Sequence, residues 1–175
     1  MAGGRAWRYV AAGAAVFVAD QWSKGRVDRT PFDFDHTVIP GLFSIVHAEN
    51  PGVAFGMFQN AAPAFRDLLI SGSSLALVIV LALLWRSRQS ARTGYAMALI
   101  AGGACGNLMD RVLHGRVSDF LLFYVGSHSW PVFNIADSAI VVGAALLAWG
   151  ILHEQPAAKA APQAAGEEAR PAPSR

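Results

Sequence analysis

Cysteine is nearly absent from this chain of 175 residues, and charge is scarce. With Cys105 alone, an intrachain disulfide and a thiolate metal cluster are both excluded, and Cys105, inside an apolar stretch, reads as a small core residue. Charged residues make up 15% of the chain against 54% hydrophobic ones, and the mean hydropathy is +0.36. That is too apolar for an ordinary soluble domain of this length, so one domain with lipid as its solvent is expected. The 14 basic and 12 acidic residues nearly cancel and are spread along the chain, which argues against nucleic acid as a partner. Paired histidines are lacking too. His36, His47, His114, His128 and His153 are scattered with no two at helical ligand spacing, so no metal is expected. No serine stands in a Gly-x-Ser-x-Gly setting, and the one thiol lies within an apolar run, so no competing nucleophile stands out.

What the chain does have is long uncharged runs. Leu68 to Trp85 gives 18 such residues and Thr93 to Met109 another 17, both near the ~20 that a helix needs to cross a bilayer. Ser138 to Leu152 is a third run, reaching spanning length if its helix begins near Trp130 or Pro131, which puts Asp137 inside the membrane near one end. Tyr9 to Ala19 is short, but Ala6, Trp7, Gln21 and Trp22 extend it to a marginal fourth span with Asp20 near its far end. Arg5 and Arg8 followed by an apolar run ending at Ala19 also resemble a cleaved signal peptide, the alternative to that first span. Four crossings are expected. Arg86, Arg88 and Arg92 crowd the connection between the second and third spans, and with Arg5 and Arg8 they mark the cytoplasmic side, leaving both termini cytoplasmic. Outside the membrane, Thr37 to Val46 is rich in β-branched and aromatic residues and broken by Pro40-Gly41, the signature of a small antiparallel sheet. His114 to Trp130 forms a second external loop, and the Ala/Pro-rich residues 154–175 are expected to be a disordered tail.

Acids at span ends ask for a reason, because an ionised carboxylate in hydrocarbon costs several kcal/mol unless paired, hydrated or protonated. Asp20, Asp110, Asp119 and Asp137 all fall, by topology, at the same side of the bilayer. Asn107 and Asp110 are three apart and share a helix face, and Arg111 follows at once. Those three either lock helices together or position a substrate. Gly102, Gly103 and Gly106 let their helix approach its neighbours closely. Asp119 and Asp137 are 18 residues apart, enough for the chain to fold back and bring the carboxyls together. Two carboxylates sharing a site do not both ionise easily, so one keeps its proton while the other takes one from water, the pair that an aspartic peptidase requires. The other reading is two acids separately solvated or ion-paired at an interface.

Five stretches, in this order, resemble the lipoprotein signal peptidases, also called signal peptidase II. They are Asp20-Gln21-Trp22-Ser23-Lys24, Asn50-Pro51-Gly52-Val53-Ala54-Phe55-Gly56, Gly102 to Arg111 (GGACGNLMDR), Val117-Ser118-Asp119-Phe120 and Phe133-Asn134-Ile135-Ala136-Asp137-Ser138. The match runs from about residue 7 to 152, and the tail has no counterpart in it. The resemblance implies a membrane all-α core of four transmembrane helices over residues 1–153, with a small extracytoplasmic antiparallel β-cradle at about residues 25–62. It implies an aspartic endopeptidase of the bacterial cytoplasmic (inner) membrane that removes the signal peptide from diacylglyceryl-modified prolipoproteins, cutting just before the lipidated cysteine. Asp119 and Asp137 would be the catalytic dyad, with the site near the outer leaflet. Asn50, Gly52, Asn107, Asp110, Arg111 and Asn134 would bind substrate, and Asp20 and Lys24 would support the site. Partners would be prolipoproteins and membrane lipids, with the enzyme a monomer and without cofactor. Asp137, at a helix N-terminus, should ionise more easily, making Asp119 the proton carrier. Two rivals remain on the residues alone: a proton-coupled carrier, which would need polar residues through the membrane depth where the second span offers only Ser71, Ser73 and Ser74, and a non-catalytic scaffold.

Overall fold

The computed structural model describes residues 3–51, 63–86 and 90–153. Gly52 and the expected disordered tail lie outside the described residues. In chain order the elements are α1 (Gly3–Val27), β1 (Asp35–Ile39), β2 (Phe43–Asn50), α2 (Pro63–Arg86), α3 (Ala91–His114), β3 (Val117–Val125), β4 (His128–Ser129) and α4 (Ile135–His153). α3 is the central helix, packed against α4, α1 and α2. The strands form one antiparallel sheet in the order β1-β2-β3-β4.

The sheet expected around Thr37 to Val46 is present as β1 and β2, joined at Pro40-Gly41, where Leu42 N donates to Ile39 O at 3.0 Å. The loop expected after His114 is instead largely strand β3. Its residues pair with β2 from Phe43↔Phe123 to Asn50↔Val117, and the Phe43 and Phe123 rings stack at 4.7 Å. The unbroken apolar and aromatic run from Phe120 to Val125 suits a pleated, half-buried surface better than a loop. The fourth helix also starts later than Trp130 or Pro131. Phe133 is drawn into the sheet, its amide donating to Leu121 O at 3.1 Å and its carbonyl accepting from Leu121 N at 2.8 Å. Asn134 then caps the helix, Oδ1 accepting the Asp137 amide at 2.9 Å. Even so shortened, α4 has 19 residues and, among the described residues, is the helix long and apolar enough by itself to cross a bilayer. α2 contains a shorter apolar stretch, Asp67–Leu83.

Burial is inverted relative to a water-soluble protein. Asp20, Lys24, Asn107, Asp110, Asp119 and Asn134 are buried, whereas Val10, Leu75, Val78, Val112, Val141 and Ile151 are exposed on the helix surfaces. The same inversion corrects the expectation for Cys105, which is exposed on α3 beside an apolar groove that Phe17 and Leu81 also line. A structure that keeps its polar groups inside has its apolar small residues to spare for the outside.

Close helix approach depends on glycine, as expected from the α3 sequence. A Cβ on Gly103 would collide with the Ala136 carbonyl of α4, and one on Gly106 would collide with the Asp20 carboxylate reaching over from α1. Gly103→Val should therefore push α3 off α4 and destabilise the fold by about 1–3 kcal/mol. Gly72→Ala in α2, where a Cβ meets nothing within 4 Å, is the control and should leave the midpoint in place or raise it. Thermal unfolding in detergent checks both.

Candidate active site

The polar interior is organised around one ammonium group. Asp20, Gln21 and Lys24 sit near the C-terminal end of α1, with Asp20 and Lys24 one turn apart on a common face. Lys24 Nζ lies 2.7 Å from Asp20 Oδ2 and 2.7 Å from Asp110 Oδ2 of α3, and it donates to Asn107 Oδ1 at 2.8 Å. Two of these contacts are ion pairs and the third is a hydrogen bond, so one ammonium draws together oxygens from three side chains. Asp20 spends its other oxygen on α4, Oδ1 accepting the Ala136 amide at 2.9 Å. That amide is one of the donors a helix N-terminus leaves without an internal partner. Gln21 Nε2 donates to Asp110 Oδ1 at 3.0 Å and to Asp20 Oδ2 at 3.2 Å, closing the ring between α1 and α3.

Two asparagines carry this network to the remaining acids. Asn107 Nδ2 donates to Asp137 Oδ1 at 2.7 Å, while its oxygen receives Lys24 and, at 3.2 Å, Asn134 Nδ2. Asn134 Nδ2 also donates to Asp119 Oδ1 at 2.7 Å. Because Asn134 Oδ1 accepts the Asp137 amide, its orientation is fixed: the amide nitrogen must face Asp119. Asn50, the last residue of β2, donates Nδ2 to Asp119 Oδ2 at 3.1 Å, so each Asp119 oxygen has its own amide donor. Strand β3 thus brings one carboxylate and the first turn of α4 brings the other. Burial first, and the neighbouring Asp137 carboxylate second, push the Asp119 carboxyl from 3.8 up to about 6, against the opposing pull of the Asn50 and Asn134 hydrogen bonds and the Lys24 charge.

Asp119 and Asp137 open onto the same cavity of about 530 Å³. Asn50, Asn107 and Arg111 line it with them, and its remaining wall is largely apolar: Trp130, Pro131, Phe133, Ile140, Val141 and Val142. Arg111 is anchored to its own helix, Nη1 donating to Asn107 O at 3.2 Å, and its charge acts on Asp110, Asp119 and Asp137. A peptide segment several atoms wide and a water molecule fit such a space, and the mixture of polar corner and apolar wall suits an amphiphilic ligand.

Of the residues singled out in the sequence, Asp20, Lys24, Asn107, Asp110, Asn134, Asp119, Asp137 and Asn50 join in one hydrogen-bonded cluster, and Arg111 shares its cavity. Gly52 lies outside the described residues. Sequence reasoning missed Gln21 as a member of the cluster. Its position three residues before Lys24, on the same helical face, was the available signal. It also missed Asp28 and Ser118, joined by a hydrogen bond behind Asp119; residues from separate segments carry no such spacing signal.

The family model described as Signal peptidase (SPase) II matches residues 12–153. The lipoprotein signal peptidase of Solibacter usitatus is 40% identical over 144 residues, covering 81% of this chain and 88% of that protein. That of Alteromonas mediterranea is 41% identical over 144 residues, covering 80% and 78%. A solved bacterial membrane enzyme superposes with a TM-score of 0.76 at 26% identity, covering 83% of this chain and 87% of its own. A second, also a bacterial membrane enzyme, gives 0.75 at 25% identity, covering 85% and 94%. With a match that runs from within α1 to the end of α4, and relatives at this level of identity, the chain belongs to the signal peptidase II family.

Proposed function

We propose that this protein is a multi-pass aspartic endopeptidase of the bacterial cytoplasmic membrane, which removes the signal peptide from prolipoproteins by cutting just before a diacylglyceryl-modified cysteine. The observation that carries the reading is two carboxylates, Asp119 and Asp137, facing one cavity and each held by a separate asparagine. Family membership supplies the substrate class, since the relatives are named lipoprotein signal peptidases. On this reading residues 1–153 are the peptidase, and the 154–175 tail is idle.

In the reaction, a water molecule lies between the two acids. The ionised Asp137 takes a proton from that water as its oxygen bonds to the scissile carbonyl carbon, while protonated Asp119 donates a hydrogen bond to the carbonyl oxygen. The tetrahedral intermediate collapses with cleavage of the C–N bond, and a proton passes from the acids to the leaving nitrogen. The products are a signal peptide with a new carboxylate and a lipoprotein with a free amino group on its cysteine. Asn107 and Asn134 hold the acids in place, so little reorganisation is needed as charge moves. Asn50 and Arg111 orient the peptide and Gly52 belongs with Asn50 in the substrate-binding stretch, while Asp110, expected to bind substrate, faces Lys24 and joins Asp20 in supporting the acids from behind. No cofactor enters this chemistry.

All four helices are proposed to span the bilayer, with both termini cytoplasmic and the cavity near the outer leaflet. Exposed apolar side chains on every helix, such as Val18, Leu75, Val112 and Val142, support this, because in water such surfaces would be an aggregation liability. A lipid-anchored substrate is held at that depth by its acyl chains, which raises its effective concentration at the site without a deep soluble pocket. Membrane lipids are then the solvent, and one monomer contains every group the reaction uses.

Asp119→Asn and Asp137→Asn should each fold but lose at least about 10²-fold in kcat. Release of signal peptide by purified protein in lipid vesicles checks this, and an Asp119→Asn enzyme with ordinary turnover would end the aspartic reading. The same assay with diacylglyceryl-modified and unmodified precursors should show cleavage of the modified one alone. The proton on Asp119 sets a pH dependence. Its folded value of about 6 exceeds the ordinary 3.8, so the native state binds the extra proton between those values. Native stability from this group is therefore present below pH ~4 and lost as pH rises through about 6. Activity that needs the proton declines through the same point: kcat/KM should show an alkaline limb near pH 6, belonging to the pair.

A further inference from the structure

Ser118 turns its back on the cavity. Successive side chains of a strand point to opposite faces. Val117 and Asp119 line the cavity, whereas Ser118 is buried on the other face of β3. There its Oγ donates to Asp28 Oδ1 at 2.6 Å, a length typical of a hydroxyl bound to a carboxylate. Asp28 immediately follows α1, and its amide donates to Lys24 O at 2.8 Å. One turn of chain therefore offers Lys24 to the acids of the helix bundle and Asp28 to the strand that carries Asp119.

The carboxylate of Asp28, half-exposed to its surroundings, has His47 on one side. His47 Nε2 stands 4.0 Å from Asp28 Oδ1, and the ring is fixed by Nδ1 donating to Thr30 O at 2.9 Å and by stacking on Phe32 at 4.6 Å. The β2–β3 register shifts between Ile45 and Ala48, the irregularity that contains His47. Asp119 is held through its tip by Asn50 and Asn134, and the strand is tied to β2 and, through Leu121 and Phe133, to the start of α4, which leaves its attachment to α1 to be made. The Ser118–Asp28 bond ties the backbone of β3, one residue away, to the end of α1.

We propose that Asp28 is a positioning residue for the peptidase reaction: through Ser118 it holds β3 at the height that brings the Asp119 carboxyl to the cavity facing Asp137. The proposal rests on Asp119 belonging to the reacting pair. A displacement of about 1 Å in such a pair can cost on the order of 10²-fold in rate, so a strand tether that never touches substrate still governs turnover.

The test uses the full-length enzyme in vesicles with a lipid-modified precursor. Asp28→Ala and Ser118→Ala should each lower kcat about tenfold, the loss of one charge-assisted hydrogen bond, with KM within about twofold of the parent. The double variant should be no slower than either single one, since both remove the same bond. Asp28→Asn keeps an acceptor oxygen for Ser118 and should recover most of the rate. In both alanine variants the alkaline limb of kcat/KM should move, because the spacing of the two acids changes. Wild-type kcat and an unmoved pH profile in folded Asp28→Ala overturn the proposal, as does a loss confined to folded yield. Asp28→Ala, at a half-exposed side chain, keeps the test open if Ser118→Ala fails to fold. Asp119→Asn assayed alongside separates the two ideas: an inactive Asp119→Asn beside a fully active Asp28→Ala overturns only the tether, whereas an active Asp119→Asn overturns the dyad itself.

Discussion

The buried ammonium of Lys24 is the interaction on which the rest of the structure depends. It joins α1 to α3 through Asp110 and Asn107, and through Asp20 it reaches the first turn of α4. A buried cation flanked by two carboxylates is no bargain in stability compared with well-packed apolar residues, because all three ions must be dehydrated. Its value is geometric. Once Lys24 binds the side-chain oxygen of Asn107, the nitrogen of Asn107 is left for Asp137, and the Asp137 amide in turn holds Asn134 with its nitrogen toward Asp119. Each polar group inherits its orientation from the one before it, back to a single charge.

The membrane setting explains how such a core is tolerated. Where the outside of the protein is hydrocarbon, apolar side chains gain nothing by turning inward, so the interior is free to be polar as long as every donor and acceptor is matched. The exposed valines and leucines of the helices and the buried aspartates are two sides of one arrangement. Small residues on α3 complete it, since the helices must come close enough for short side chains such as Asp and Asn to reach across.

Much of this was legible in the sequence. Uncharged runs located α2, α3 and α4, the Pro40-Gly41 signal located the β1–β2 hairpin, and acids at run ends picked out Asp20, Asp110, Asp119 and Asp137. What local patterns could not give was decided by pairing at a distance. β3 is a strand because β2 is there to receive it, and α4 begins at Ile135 because Phe133 is taken up by Leu121. Cys105 was misjudged because an apolar run was equated with a buried one, an equation that fails when the surroundings are lipid. Gln21 and the Asp28–Ser118 bond escaped because neither carries an unusual residue type or spacing; their contacts exist only after α1, α3 and β3 have met.

The bond from Asp20 to the Ala136 amide ties the earliest helix to the last. A ribosome emits α4 only after everything else in the described structure, so until then Asp20 lacks one partner, Asn107 lacks another, and one of the two cavity acids does not yet exist. With that pair as the proposed reacting groups, the unfinished chain is inert toward its neighbours in the bilayer, and a protease that works among other membrane proteins comes into being only when its own assembly is complete.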